Sequence, residues 1–209
     1  MINYENYSNL FYAKWSIYEE EKPTWEYIKT FLSPNCVFLD IGCQKGIFSE
    51  GVLDLYGKNC QVFAFDVLQH PNISNIEKKF NNFYFLNSAV GDGQPVNCMI
   101  DYESDTFVDN QKSITLDKFC EDKNIPKIDF IKIDVDGTEK KVLHGSVNTL
   151  KKYSPVLMVE IVNSDLDHQR LKLDINNKKE CIDILNSLGY VNIGVRNDMN
   201  YFFEKKTDE

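Results

Sequence analysis

Carboxylates stand at the ends of most of the apolar runs in this sequence. Asp40 lies in Cys36–Ile41, Asp66 follows Gln61–Phe65, Asp134 and Asp136 follow Ile128–Ile133, and Glu160 lies in Val156–Ile161. A third run, Phe83–Leu86, ends instead in Asn87 and Ser88. Carboxylates lining one cleft repel each other, so the cluster calls for a counter-charge such as a cationic ligand or a metal. The loop Asp40-Ile41-Gly42-Cys43-Gln44-Lys45-Gly46 narrows the choice. A dinucleotide fingerprint needs G-x-G-x-x-G so that backbone can approach a pyrophosphate. Here Gln44 takes the middle glycine's place, and Asp40 aims negative charge at the loop. Both features disfavour a pyrophosphate and suit a ligand with an amino group. Asp66 lies twenty residues beyond Gly46, room for a helix and the next strand, where a carboxylate can accept hydrogen bonds from both hydroxyls of a ribose. A nucleoside that carries positive charge, such as S-adenosylmethionine with its sulfonium and ammonium, fits these features together.

The elements that position these groups follow from periodicity. The five apolar runs read as buried strands, and Gly46–Tyr56, Ile73–Phe80, Leu116–Asp122 and Thr138–Lys152 read as the helices between them. Continuous apolar strands alternating with helices predict an α/β doubly wound sheet, mostly parallel and covered on both faces. A helix at about Lys179–Leu188 precedes strands at Val191–Val195 and Tyr201–Glu204, which pair as an antiparallel hairpin through Asn197-Asp198. Tyr4, Tyr7, Phe11, Trp15 and Tyr18 recur at helical spacing, and a second helix runs from Pro23 to Leu32. Residues 1–209 read as one domain, with 1–34 a helical segment packed on it. Gly91–Ser113 and Asn163–Asn177 are the less regular stretches, placed where loops would surround a ligand.

Composition removes several function classes. Charged residues at 26% and hydrophobic ones at 43% are ordinary for a globular protein and exclude a disordered or fibrous chain. A formal charge of -9 argues against a nucleic-acid partner, which would call for clustered Lys and Arg. No apolar run is long enough for a membrane span, and the N-terminus lacks a signal-peptide pattern. The six cysteines include no C-x-x-C, so reduced thiols and a cytoplasmic location are expected.

The segments Val37–Gly46, Val62–Asp66, Asn87–Asp92, Thr115-Leu116-Asp117 and Ile128–Glu139, continuing through Val142–Gly145 to Leu150 and Pro155–Glu160, resemble the FkbM family of methyltransferases. The resemblance covers roughly residues 35 to 162, and its most specific part is Ile128–Glu139. It implies the class I methyltransferase fold, a Rossmann-like seven-stranded sheet with an antiparallel last strand. It also implies an S-adenosylmethionine donor and methyl transfer to oxygen, often on a sugar or natural product. Asp66 and Asp136 stand where the family more often has Glu. Carried over by position, Gly42, Cys43, Gln44 and Gly46 approach the methionine part, and Asp40 serves its amino group directly or through water. Asp66 holds the ribose, Val67 packs on adenine, and Ser88, Ala89 and Val90 line the base.

An alcohol is a poor nucleophile until its proton is leaving, so methyl transfer to a hydroxyl needs alignment and a proton acceptor. Asp134 is the first candidate for that base and Glu160 the second; facing each other, they could hold Mg²⁺ or Mn²⁺. His168, with Asp165, Asp167 and Arg170 nearby, is a third candidate, whereas His144 reads as structural and Glu139 as a dipole-favouring residue at a helix start. Expected partners are a small-molecule or glycan hydroxyl acceptor, with no nucleic acid and no membrane. Two rivals stay open at this point: a nicotinamide-dependent enzyme, and a non-catalytic module that binds a cation.

Overall fold

A computed structural model describes residues 21–101, 106–162 and 177–206. The N-terminal aromatic stripe and His168 with its polar neighbours lie outside the described residues. Helix α1 (Lys22–Lys29) starts with Pro in its first turn and buries Thr24, Trp25 and Ile28. Alternating strands and helices follow: β1 (Val37–Ile41), α2 (Ile47–Tyr56), β2 (Gln61–Asp66), α3 (Pro71–Lys79) and β3 (Phe83–Asn87). Next come the short β4 (Ala89–Val90), a hairpin of β5 (Val96–Asp101) and β6 (Thr106–Gln111), β7 (Ser113–Ile114) and α4 (Leu116–Asp122). The chain continues through β8 (Phe130–Ile133), α5 (Glu139–His144), α6 (Val147–Tyr153), β9 (Val156–Glu160), α7 (Asn177–Ser187), β10 (Tyr190–Arg196) and β11 (Asn200–Lys205).

Seven strands form one sheet in the order β10-β11-β9-β8-β1-β2-β3. The pairs from β9 to β3 are all parallel, while β11 runs antiparallel to both β9 and β10. Asn197 and Asp198 turn the β10–β11 hairpin with φ of 50° and 58°, the left-handed pair that a tight hairpin demands. Every residue of β1 and β8 is buried, which explains why apolar residues dominate both, with Asp40 and Lys132 the exceptions. Alternation sends Leu39, Ile41, Ile131, Ile133, Leu157, Val159 and Phe203 to one core, and Phe38, Phe130, Met158 and Phe202 to the other. By the same alternation Asp40, Lys132, Glu160 and Asn200 fall on the second face, beneath α1 and α2.

Three expectations needed correction. The helix expected over Thr138–Lys152 is two helices meeting at Gly145 and Ser146. A Cβ on Gly145 would lie 1.8 Å from the Gly91 carbonyl oxygen, so the backbone after β4 presses into the helix there. Gly91–Ser113 is also not irregular: it holds the β5–β6 hairpin, whose Met99 and Phe107 pack on Val162 just beyond β9. His144 is exposed at the end of α5, outside the buried packing expected of it.

Candidate active site

The strand ends converge because the parallel register sets them side by side. Asp40 of β1 is level with Lys132 of β8, and Lys132 with Met158 of β9, so Asp134 comes beside Glu160, which is level with Asn200 of β11. Lys132 was not singled out from the sequence, yet it organises the site. It is 2% exposed, and its Nζ lies 2.8 Å from Asp134 Oδ2 and 3.4 Å from Asp40 Oδ1. The same ammonium donates to the Gly42 carbonyl at 3.2 Å and sits 5.2 Å from the Phe48 ring centroid. Part of the counter-charge that the acid cluster demands is therefore built into the chain. The signal was a lone cation inside a fully buried strand, where a charge must have partners.

Burial would lower the Lys132 ammonium, but Asp134 and Asp40 outweigh it and hold the pKa above its ordinary value. Burial would likewise raise Asp134; the Lys132 cation and a hydrogen bond with Glu160 hold it below the usual carboxylate range. Glu160 moves the other way, pushed well up by the Asp134 charge, by burial and by that shared hydrogen bond. The two shifts run in opposite directions, so a proton held by the pair favours Glu160 over Asp134. Asp136, held at φ 49°, brings a third carboxylate, and one oxygen from each of the three lies within 4.8 Å of the others.

Asp40 is wholly buried and accepts a hydrogen bond from Ser49 Oγ at 2.7 Å. Its side chain braces the loop from behind and does not line the cleft. Gly42 answers to the same crowding: with φ 78°, a Cβ there would stand 1.6 Å from the Asp134 carbonyl oxygen. Gly46, at φ 74°, would press a Cβ on Ile73 and Ile76. Packing within the chain thus closes both positions to any side chain. Gln44, at the missing middle glycine, still adopts left-handed backbone at φ 47°, a conformation costing a non-glycine residue roughly 1–2 kcal/mol. Its amide donates to Asp66 Oδ2 at 2.7 Å, which holds it there.

Asp66 Oδ1 accepts from the Leu68 amide at 3.0 Å. Burial raises this carboxyl, although the Leu68 and Gln44 amides pull it down. Each oxygen keeps a lone pair for a further donor, the capacity a ribose diol requires. Cys43 packs in the core with its thiol pushed well up by burial, so only its backbone can meet a ligand. Val67 is half-buried beside Asp66; Ala89 is buried in β4, and Ser88 Oγ donates to the Ala89 carbonyl at 3.1 Å.

Comparison with known proteins follows this geometry. The family profile described as the methyltransferase FkbM domain matches residues 66–191. The fold is similar to that of an FkbM methyltransferase from Methylobacillus flagellatus KT, with TM-score 0.57 and 13% identity over 81% of this chain. This chain spans 43% of that protein's length. A Clostridium thermocellum protein described as an rRNA-methylase gives TM-score 0.55 at 15% identity, covering 91% of this chain and 97% of that one. Aeropyrum pernix fibrillarin with natively bound S-adenosyl-L-methionine gives 0.50 at 12% identity, over 82% of this chain and 66% of that one. No curated protein sequence matches.

Proposed function

Because the chain belongs to the FkbM methyltransferase domain family and is an S-adenosylmethionine-dependent methyltransferase, we propose that its acceptor atom is a hydroxyl oxygen, on a sugar or other glycan. The observation that carries this reading is the approach of Asp134 and Glu160 at neighbouring strand ends, with Lys132 Nζ against Asp134. The bound cofactor supplies a methyl group on a sulfonium, and the chain supplies alignment and somewhere for the hydroxyl proton to go. Asp134 receives that proton from the acceptor, Glu160 orients it through their shared hydrogen bond, and Lys132 keeps it ionised beforehand. Asp66 binds the ribose, with Val67, Ser88 and Ala89 beside the base. Gly42 to Gly46 follow the methionine part through backbone groups, and Asp40 steadies that loop through Ser49 and Lys132.

A divalent cation is the second reading, favoured by the approach of Asp134, Asp136 and Glu160. Mg²⁺ or Mn²⁺ there would be held by hard oxygen donors and would lower the acceptor hydroxyl's pKa. Lys132 already neutralises Asp134, so the metal-free pair is preferred, and unchanged turnover in EDTA is expected. The acidic balance of the chain favours a small acceptor over RNA, and its six free cysteines fit a cytoplasmic location. Among the described residues no helix is long and apolar enough to cross a membrane.

The test is a methyl-labelled cofactor incubated with nucleotide sugars, rhamnose-containing glycans, polyketides and ribosomal RNA. A sugar ether as product is expected. Label appearing only on a nitrogen or carbon atom, or only on RNA, would overturn the oxygen-acceptor reading.

A further inference from the structure

Glu139 opens α5, yet it is 1% exposed and does not face water as an ordinary helix-start acid would. Its Oε1 accepts from two backbone amides, Gly137 at 3.0 Å and Val135 at 3.3 Å. Its Oε2 is buried and has no hydrogen-bond partner. The two amides flank Asp136, so one carboxylate oxygen grips the turn on both sides of that residue. The turn is contorted, with φ of 49° at Asp136 and 105° at Gly137. Left-handed backbone at a non-glycine residue persists where its surroundings over-determine it, and such places cluster at functional sites. On the far side the same turn is jammed: the Asp134 carbonyl fills the space a Gly42 side chain would need.

Electrostatics opposes a carboxylate in this position. Burial, Asp136 and Asp134 all push Glu139 toward its neutral form, and the amides of Gly137 and of Glu139 itself pull the other way. Glu160 and, from α7, Cys181 also feel its charge. A buried acid kept among acids, with its one hydrogen-bonding oxygen spent on a turn, is explained by what the turn carries.

We propose that Glu139 is a positioning residue for methyl transfer: its clasp on the Val135 and Gly137 amides fixes the turn that presents Asp134 and Asp136 to the acceptor. The proposal rests on Asp134 receiving the hydroxyl proton.

Four variants test it, read by kcat, by KM for S-adenosylmethionine and by calorimetric binding of the demethylated cofactor. Glu139→Met keeps the volume but offers no acceptor, and kcat should fall by about tenfold to a hundredfold, as expected of a misplaced reacting group. KM and product affinity should stay within about threefold, because Asp66 and the first loop are untouched. Glu139→Gln still accepts from both amides and should restore kcat to within about threefold of the parent. Glu139→Asp keeps the charge but shortens the reach, and should resemble the Met variant, which decides the question even where Glu139→Met fails to fold. Parental kcat in the Met or Asp variant, or a Gln variant as impaired as they are, would overturn the clasp. Asp134→Asn separates the two ideas. Full turnover there sinks the Asp134 assignment, whereas an inactive Asp134→Asn beside a fully active Glu139→Met sinks the clasp alone.

Discussion

Replacing Lys132 with Met removes the ammonium and fills its volume, leaving Asp40 and Asp134 to face each other across β1 and β8 without a cation. Losing one partner of a buried ion pair costs roughly 3–5 kcal/mol, because the remaining charge is stranded. Asp40 is fully buried and meets that condition, while Asp134, with its side chain 30% exposed, can recruit water. The lower end, about 3 kcal/mol, is therefore expected. For a chain of this length each kcal/mol shifts melting by about 2–4 °C, so Lys132→Met should melt about 6–12 °C lower. Differential scanning calorimetry of the two proteins measures this. Adding Asp40→Asn removes the stranded charge while keeping an acceptor for Ser49, and should recover at least about 1 kcal/mol as a coupling energy. A single variant melting within about 2 °C of the parent, or a double variant no better than the single, would refute the idea that Lys132 neutralises this row.

Two other outcomes follow from the same geometry. Asp66→Ala should weaken cofactor binding at least about tenfold by calorimetry, and should also lower the melting of the free protein, because the Gln44 and Leu68 amides lose their acceptor; unchanged affinity would end the ribose assignment. The carboxyl of Glu139 is pushed up to about 7 by burial against an ordinary value of 4.5. Between those values the folded chain holds a proton that the unfolded chain has lost, so stability falls as pH rises through this window and levels off above it. The full effect is on the order of 3 kcal/mol. Urea titrations at several pH values should show Glu139→Gln flatter across that window and relatively more stable at pH 8; parallel curves would mean that Glu139 does not titrate there.

The sheet was legible in the sequence because its central strands are buried on both faces and read as mostly apolar runs. Asp66 was legible too, through its spacing from Gly46. Lys132 was not, because a lysine between two isoleucines resembles an exposed position on an alternating strand until the register brings Asp40 level with it. The close packing around the first loop's glycines was not legible, since the atoms they avoid, the Asp134 carbonyl for Gly42 and the Ile73 and Ile76 side chains for Gly46, are distant in sequence. The break at Gly145 has the same kind of cause in the Gly91 carbonyl. The β5–β6 hairpin was obscured by register shifts at Val96/Cys98 and Met99/Asp101, which spoil the two-residue period.

The sheet order has a consequence for how the chain is made. β11 follows β10 in the chain, yet it sits between β10 and β9 in the sheet. While synthesis proceeds, β9 is a bare edge carrying Glu160, and β10 has no neighbour in the sheet to pair with. The five parallel strands β9, β8, β1, β2 and β3 pair without β11, and until it enters, the acid pair lacks its outer wall. The outer wall of the acid pair is therefore in place only once β11 lays Asn200 alongside Glu160.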